Sequence, residues 1–436
     1  MDELLERRVV SKVAWRLLPL IMLIYFAAYV DRTNVSFASF GMTRQFGFSA
    51  HLYGWAAGIF FLGYIIFEIP SNLLMARAGG RRWIARIMIT WGIVACATAL
   101  TAGPASFLFF RFMLGVAEAG FFPGMILYLT LWFPRAYRAR VLSVLYVAVP
   151  ASNAVTAVVS GAILELNGAW GIPGWKWLFV LEGIPAILLG FVVLGWLTDR
   201  PARARWLAPE ERAWLQETID RQDQAVAQAH GRPTALQALG NPRVLSLAAM
   251  YLTSLMAVYG ITFFMPLILK GLGGSDLHTG LLTALPYVVG TIGLVAWSVS
   301  SDRTGERKWH FILASLLGAA GLAGAGLLGN SYLALGAMSA ATIGLYGSKP
   351  AFWAMPSEAL TGAGAATGIA FINCVGNLGG FIGPYAIGWI KQETNGYAMA
   401  LYFLAICASA SALIAFLTIA RSPRRPSVAA ARVSGV

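Results

Sequence analysis

The sequence predicts an all-α integral membrane protein whose twelve transmembrane helices form two pseudo-symmetric six-helix bundles. Three observations carry that expectation. Of the 436 residues, 58% are hydrophobic and 12% charged, where a soluble domain carries about 25% charged residues. Apolar runs of about 20 residues, the length that crosses a bilayer, recur along the whole chain, and the mean hydropathy is +0.68. The loop Arg77-Ala78-Gly79-Gly80-Arg81-Arg82 returns in the second half as Asp302-Arg303-Thr304-Gly305-Glu306-Arg307-Lys308, the trace that a repeated six-span unit leaves in a sequence.

Taken in order, the spans of the first half are expected over 15–38, 52–75, 83–102, 107–131, 140–163 and 177–197. Those of the second are expected over 243–269, 279–300, 309–328, 332–354, 364–388 and 397–420. Between the halves lies one long polar segment, Thr198 to Asn241. Within it Pro209, Glu210 and Glu211 mark a helix start, because proline and acidic residues favour a first turn, and 210–228 reads as a surface helix. The chain thus divides into an N-terminal bundle (1–197), a cytoplasmic linker with its surface helix (198–242), a C-terminal bundle (243–420) and a tail (421–436) expected to be disordered. The lead Met1 to Arg16 has no small-residue cleavage pattern, so the first helix is expected to stay.

Orientation follows from the basic residues. One set of alternate loops holds only Arg44, Lys176, Lys270 and Lys391; Arg32, Arg111 and Lys349 lie inside spans, and every other Lys and Arg falls on the side of the N terminus, with Arg86, Arg140 and Arg243 in the span ends on that side. Basic loops stay inside, so both termini are expected in the cytoplasm of a multi-pass protein of the inner (plasma) membrane, with the lipid bilayer as its surroundings. A formal net charge of +13 would point to nucleic acid only if clustered on one domain, and alternate loops exclude that partner. Cys96, Cys374 and Cys407 sit in apolar runs without CxxC spacing or a nearby histidine, as small apolar filler does; neither a disulfide framework nor a metal site is expected.

The informative residues are charges inside spans. Asp31 and Arg32 lie in the first run, and Arg111 and Glu118 in the fourth. An ionisable residue there costs roughly 2.5–3.5 kcal/mol on insertion scales, so it needs partners and reads as functional. Arg111 and Glu118 are two helical turns apart, about 10.5 Å along one face. Tyr25, Tyr29 and Arg32 follow i, i+4, i+7 spacing as one stripe, with Asp31 rotated about 100° from Arg32 and free to reach a neighbouring helix. Two arginines and two carboxylates balance, so an entering anion calls for a compensating proton, which Asp31 or Glu118 can take. Arginine suits the anion because its planar fork holds both carboxylate oxygens and keeps its charge. The bland reading is two structural ion pairs, Asp31 with Arg32 and Arg111 with Glu118, that tie helices together; the two roles can coexist.

Weaker signals surround these. Lys349, near Pro350 and Pro356 in span 10, is a candidate contact for a second carboxylate or a snorkelling cation. Glu68, four residues after Tyr64, is expected at the solvated interface, and Glu182 in the opening turn of span 6 as a packing or capping residue. Asn373 and Asn377 share a face of a glycine-rich helix, where close packing and substrate access both explain the glycines. Pro123 and Gly124 in span 4 and Pro266 in span 7 are expected kinks. Trp132, Trp175 and Trp177, near span ends, read as interfacial anchors.

Asp31-Arg32-Thr33-Asn34, Arg111 to Gly120 (RFMLGVAEAG) and Leu197-Thr198-Asp199-Arg200-Pro201 resemble the major facilitator superfamily, and within it the anion:cation symporter branch of bacterial tartrate, phthalate, hexuronate and galactonate permeases. The resemblance covers about residues 12 to 420. It implies the major facilitator fold, with Arg32 and Arg111 contacting a substrate carboxylate, Asp31 and Glu118 coupling protons, and Tyr29, Tyr64, Asn373 and Asn377 lining the site. The superfamily's loop pattern is matched by Asp302, Arg303, Gly305, Arg307 and Lys308; in the first half Arg77, Gly79, Arg81 and Arg82 remain, while Asn72 replaces its leading glycine and Ala76 its aspartate. The glutamine of sugar-acid permeases has no counterpart near Tyr146 and Val149 in span 5.

The expected function is a secondary active transporter carrying a small organic anion together with H+ by alternating access, as a monomer, with no cofactor beyond the coupling ion. An anion exchanger or uniporter on the same fold is the rival within transport; a non-transporting membrane sensor is a third reading, for which neither terminus offers a signalling domain. An enzyme is not expected, because His51, His230, His278 and His310 lie in loops or at span ends and form no HExxH-like cluster.

Overall fold

In the computed structural model, residues 2–229, 241–359 and 363–419 are described; the expected tail and His230 lie outside them. Among the described residues there is no strand. The helices are α1 (Asp2–Thr33), α2 (Val35–Phe46), α3 (Ala50–Ala78), α4 (Gly80–Ala97), α5 (Pro104–Glu118), α6 (Phe121–Thr130), α7 (Arg135–Leu164), α8 (Gly174–Trp196) and α9 (Pro209–Ala229), then α10 (Pro242–Lys270), α11 (Asp276–Thr304), α12 (Lys308–Leu328), α13 (Leu333–Ala359), α14 (Ala363–Thr394) and α15 (Ala398–Thr418). Among the described residues, 11 stretches are long and apolar enough to cross a membrane. The twelfth expected span is α13, a 27-residue helix made more polar by Thr342, Ser348 and Lys349.

Two span boundaries differ from expectation for identifiable reasons. The first span does not stop near residue 38: α1 is followed at Asn34 by α2, which ends at Gly47 in the left-handed conformation (φ 67°) that closes helices. The fourth span breaks at Ala119–Gly120, not at Pro123–Gly124. Gly120 adopts φ 79°, and Pro123 falls in the first turn of α6, where a backbone N–H has no intrahelical acceptor to lose. α10 passes through Pro266 to Lys270 without interruption.

The chain forms two compact units: Met1–Phe48, Ile59–Ser152 and Ile163–Arg232 in the first, and Ser49–Gly58, Asn153–Ala162 and Pro233–Val436 in the second. In unit 1, α8 packs on α1, α2 and α4, and α4 on α5 and α6. In unit 2, α12 packs on α13 and α15, α10 on α14 and α15, and α11 on α13. The pairing of third with sixth span recurs as ninth with twelfth, and first with sixth as seventh with twelfth, which is the packing signature of a repeated bundle. Within unit 2 the start of α3 and the end of α7 are tied to the second-half helices by hydrogen bonds. Tyr53 Oη donates to the Phe263 carbonyl at 2.8 Å, and Asn153 Nδ2 to Tyr346 Oη at 2.9 Å, itself 3.0 Å from Thr262 Oγ1.

Tertiary packing corrects the expected tryptophan anchors. Trp132 and Trp175 are fully buried: Trp132 stacks on Trp206 at 5.5 Å, and Trp175 donates its indole N–H to Gln45 Oε1 at 2.9 Å. Glu182 is no cap, because α8 opens at Gly174 and leaves it buried two turns further in.

The linker helix α9 is clamped to the lead of α1. Lys12 Nζ donates to Glu211 Oε2 at 2.8 Å, the same carboxylate accepts the Ala208 N–H at 2.9 Å, and Arg8 lies 3.4 Å from its other oxygen. Burial raises the Glu211 carboxyl, but the hydrogen bonds from Lys12 and Ala208 and the two positive charges outweigh it and hold the group below the usual glutamate range. A depressed carboxyl adds stability above the unfolded-state value of about 4.3 and loses it as pH falls through the folded one. Hydrogen exchange in α9, corrected for intrinsic rate, should therefore rise on acidification below that range, and Lys12→Met should bring the same rise at neutral pH.

Candidate functional site

Unit 1 gathers four charges on two helices. Asp31 and Arg32 come from the last turn of α1, and Arg111 and Glu118 from α5, with α4 alongside; relative exposures are 1%, 8%, 0% and 0%. None faces lipid. The pairing crosses the sequence pairs: the Arg32 Nη2 donates to Glu118 Oε1, while Asp31 Oδ2 accepts the indole N–H of Trp91 on α4 at 2.5 Å. The alternative reading of two structural ion pairs, Asp31 with Arg32 and Arg111 with Glu118, does not match this pairing. Adjacent residues on a helix point about 100° apart, and two residues seven apart on one helix run parallel rather than toward each other, so Arg32 pairs with Glu118 on α5 and Asp31 with Trp91 on α4.

Aromatic faces complete the shell. The Arg32 guanidinium lies 5.2 Å from the Tyr29 ring, 5.1 Å from Phe60, 5.9 Å from Phe61 and 5.7 Å from Tyr64, and Arg111 lies 5.3 Å from Phe60. One ring thus serves two guanidinium groups, each attracted to its negative face. The expected Tyr25–Tyr29 stripe is present, with ring centroids 5.1 Å apart. Tyr64 also accepts the Phe122 N–H at 3.3 Å, satisfying a donor exposed where α5 gives way to α6.

Glycine brings α3 and α5 close enough for this. A Cβ on Gly115 would lie 2.0 Å from the Phe60 carbonyl oxygen, so only glycine lets the helix bearing Arg111 and Glu118 approach the one bearing Phe60 and Tyr64.

Three candidates lie in unit 2. Lys349 does not snorkel; it is buried, donates to Ser254 Oγ at 2.5 Å and lies 5.5 Å from the Tyr251 ring. Asn373 and Asn377 are buried on α14, where Gly376 packs directly against Tyr251. In the second-half loop Arg307 pairs with Asp302 at 2.7 Å and Gly305 closes α11 at φ 66°, while Arg303 is exposed. In the first-half loop Arg77 is exposed and the aspartate missing at Ala76 has a substitute: Asp199, from the end of the sixth span, accepts the Arg81 N–H at 2.8 Å beside Gly79.

Sequence reasoning passed over Trp91, Phe60 and Phe61 and assigned Glu68 to the solvated interface, whereas Glu68 is buried beside Tyr64. For Trp91 a signal existed. A tryptophan in mid-span, away from the headgroup belt, needs an acceptor for its N–H.

The family model described as Major Facilitator Superfamily matches residues 21–384. A "Putative tartrate transporter" of Agrobacterium vitis is 45% identical over 424 residues, 96% of this chain and 93% of that protein. A "Quinolone resistance transporter" of Acinetobacter baumannii is 39% identical, covering 96% of this chain and 97% of its own length. Among solved structures, the xylose transporter XylE from E. coli in a partially occluded inward open conformation superposes with a TM-score of 0.75 at 16% identity, over 93% of this chain and 99% of that one.

Trp91→Phe removes the indole donor while keeping an aromatic side chain, leaving a buried Asp31 oxygen without its bond. The expected loss is about 1–3 kcal/mol, read as a lower thermal midpoint in detergent; an unchanged midpoint would mean the bond contributes nothing.

Proposed function

Because the chain belongs to the major facilitator superfamily and is a multi-pass membrane transporter, we propose that it carries a small organic anion, a carboxylate of the tartrate class, together with H+ by alternating access. The observation that carries this reading is the buried Arg32–Glu118 pair. Arg32 is the residue best suited to a substrate carboxylate, and its guanidinium is engaged by a protein carboxylate. The two anions compete for one cation. A proton on Glu118 removes its negative charge and frees the Arg32 fork, and a substrate carboxylate then restores the balance. Release of the proton returns Glu118 to Arg32 and expels the substrate. Arg111, across the Phe60 ring, adds the second positive charge that makes the cluster attractive to an anion, and Asp31, held by Trp91, is a second proton site.

The name of the Agrobacterium vitis relative supports the carboxylate class, and the basic loops support an inner-membrane location with both termini in the cytoplasm. The protein works as a monomer in this reading, with H+ as its coupling ion and no other cofactor.

Arg32→Lys keeps the charge but loses the fork, and should weaken binding of the transported carboxylate about tenfold or more in a direct binding assay; intact affinity would remove Arg32 from the site. Glu118→Gln, in proteoliposomes, should still exchange labelled substrate for unlabelled but no longer concentrate it when a proton gradient is imposed. Accumulation equal to the wild type would refute the coupling role, and wild-type uptake indifferent to the gradient would identify an exchanger or uniporter.

A further inference from the structure

Unit 1 also holds a charged cavity, formed where α1 emerges from its apolar stretch, with its α1 residue Arg16 lying 16 residues before Arg32. Its volume is about 400 Å³, and Arg16, Arg81, Arg203 and Arg205 line it together with Trp196, Trp206 and Asp199. These arginines come from the lead of α1, the start of α4 and the segment between α8 and α9. Among the described residues none of the four guanidinium groups makes an ion pair. Asp199, the one carboxylate present, is already engaged by the Arg81 backbone N–H at 2.8 Å.

The cavity is built rather than incidental. The Arg16 guanidinium lies 3.5 Å from the Trp196 ring centroid, and the indole N–H of Trp196 donates to the Arg16 carbonyl at 3.1 Å. Trp206 is braced by its stack on the buried Trp132. The Nε atoms of Arg16 and Arg81 and the Nε1 of Trp206 are sealed from solvent without a hydrogen-bond acceptor among the described residues. Four cations and an indole N–H, with the one carboxylate occupied, present donors and almost no acceptors. The complementary group is an anion with several oxygens spread tetrahedrally, since arginine forks bind phosphate bidentately and a phosphate offers more acceptors than a carboxylate.

We propose that this cavity is a phosphate-binding site, which seats the phosphate of a membrane lipid headgroup or of a soluble phosphate. Its surroundings match headgroup depth. Trp15 is 80% exposed and Trp196 43% exposed beside it, as interfacial tryptophans are, and basic pockets at membrane helix ends take lipid phosphates. Occupancy would bind α1, α4 and the opening of the linker together through one anion.

The test uses full-length protein, delipidated in detergent, with binding followed by native mass spectrometry and thermal shift. The probes are phosphatidylglycerol, diacylglycerol as the matching lipid without phosphate, and inorganic phosphate at constant ionic strength. The wild type should bind phosphatidylglycerol in preference to diacylglycerol, and R203Q/R205Q, at two exposed positions, should bind it about tenfold or more weakly. R203K/R205K should recover much of that loss, which separates lost charge from lost folding. If inorganic phosphate fails to displace the lipid, the source is the headgroup; if it displaces the lipid and its own binding falls in R203Q/R205Q, the source is soluble phosphate. Equal binding of both phosphate probes by the wild type and R203Q/R205Q, or no preference of the wild type for phosphatidylglycerol over diacylglycerol, would overturn the proposal.

Discussion

Burying Arg32 against Glu118 is the constraint on which unit 1 is organised. Removing a charge from water carries an effective penalty of several kcal/mol per ion even after relaxation, and a buried pair offsets it only where the geometry is good and the remaining polar atoms have partners. Here Glu118 Oε2 and Asp31 Oδ1 are buried without a hydrogen-bond partner among the described residues, and the helices surround the cluster by close packing and ring faces. α5 comes close to α3 through Gly115, Phe60 and Tyr64 on α3 enclose Arg32, and α4 presents Trp91 to Asp31. The pair and the packing require each other.

In the proposed cycle the same arrangement lets the charges exchange. Arginine keeps its proton in any environment, so a change of protonation in this cluster falls on its carboxylates. Phe60, facing both guanidinium groups, keeps them near each other without neutralising either, because a ring face attracts a cation without supplying a formal charge. A carboxylate bound to a permanently charged fork can be replaced by another carboxylate of similar shape, and the aromatic shell hardly needs to move. This is why a feature that could be purely architectural also suits a substrate site. At the arginine-rich end of the unit the logic is reversed: four guanidinium groups line one cavity, Arg16 over the Trp196 ring, without countercharges of their own among the described residues.

Much of the fold was legible in the sequence. Hydropathy is a sum over neighbouring residues, so span after span could be located from the apolar runs, and the helix start at Pro209 was marked by the local chemistry of a first turn. Breaks were less legible. Pro123 drew attention as the residue that cannot continue a helix, yet the turn falls at Gly120, because a proline in a first turn costs little while a left-handed residue must be where the chain changes direction. Trp132 and Trp175 misled for a related reason. Position near a span end suggests a headgroup anchor, but the elements that cover them, Trp206 in the linker and Gln45 at the end of α2, are distant in sequence.

By itself, the sequence determined that the chain crosses a membrane many times, that its halves repeat, and that Asp31, Arg32, Arg111 and Glu118 require company, since apolar length, periodicity and the desolvation of a charge are properties of a residue and its near neighbours. Only the tertiary structure decided which company each one keeps: Glu118 for Arg32, Trp91 for Asp31, Phe60 between the two arginines, and Asp199 in place of the acid absent at Ala76. Partner choice depends on which helix faces lie opposite one another across a few ångströms, and the spacing of residues along one chain does not encode that distance.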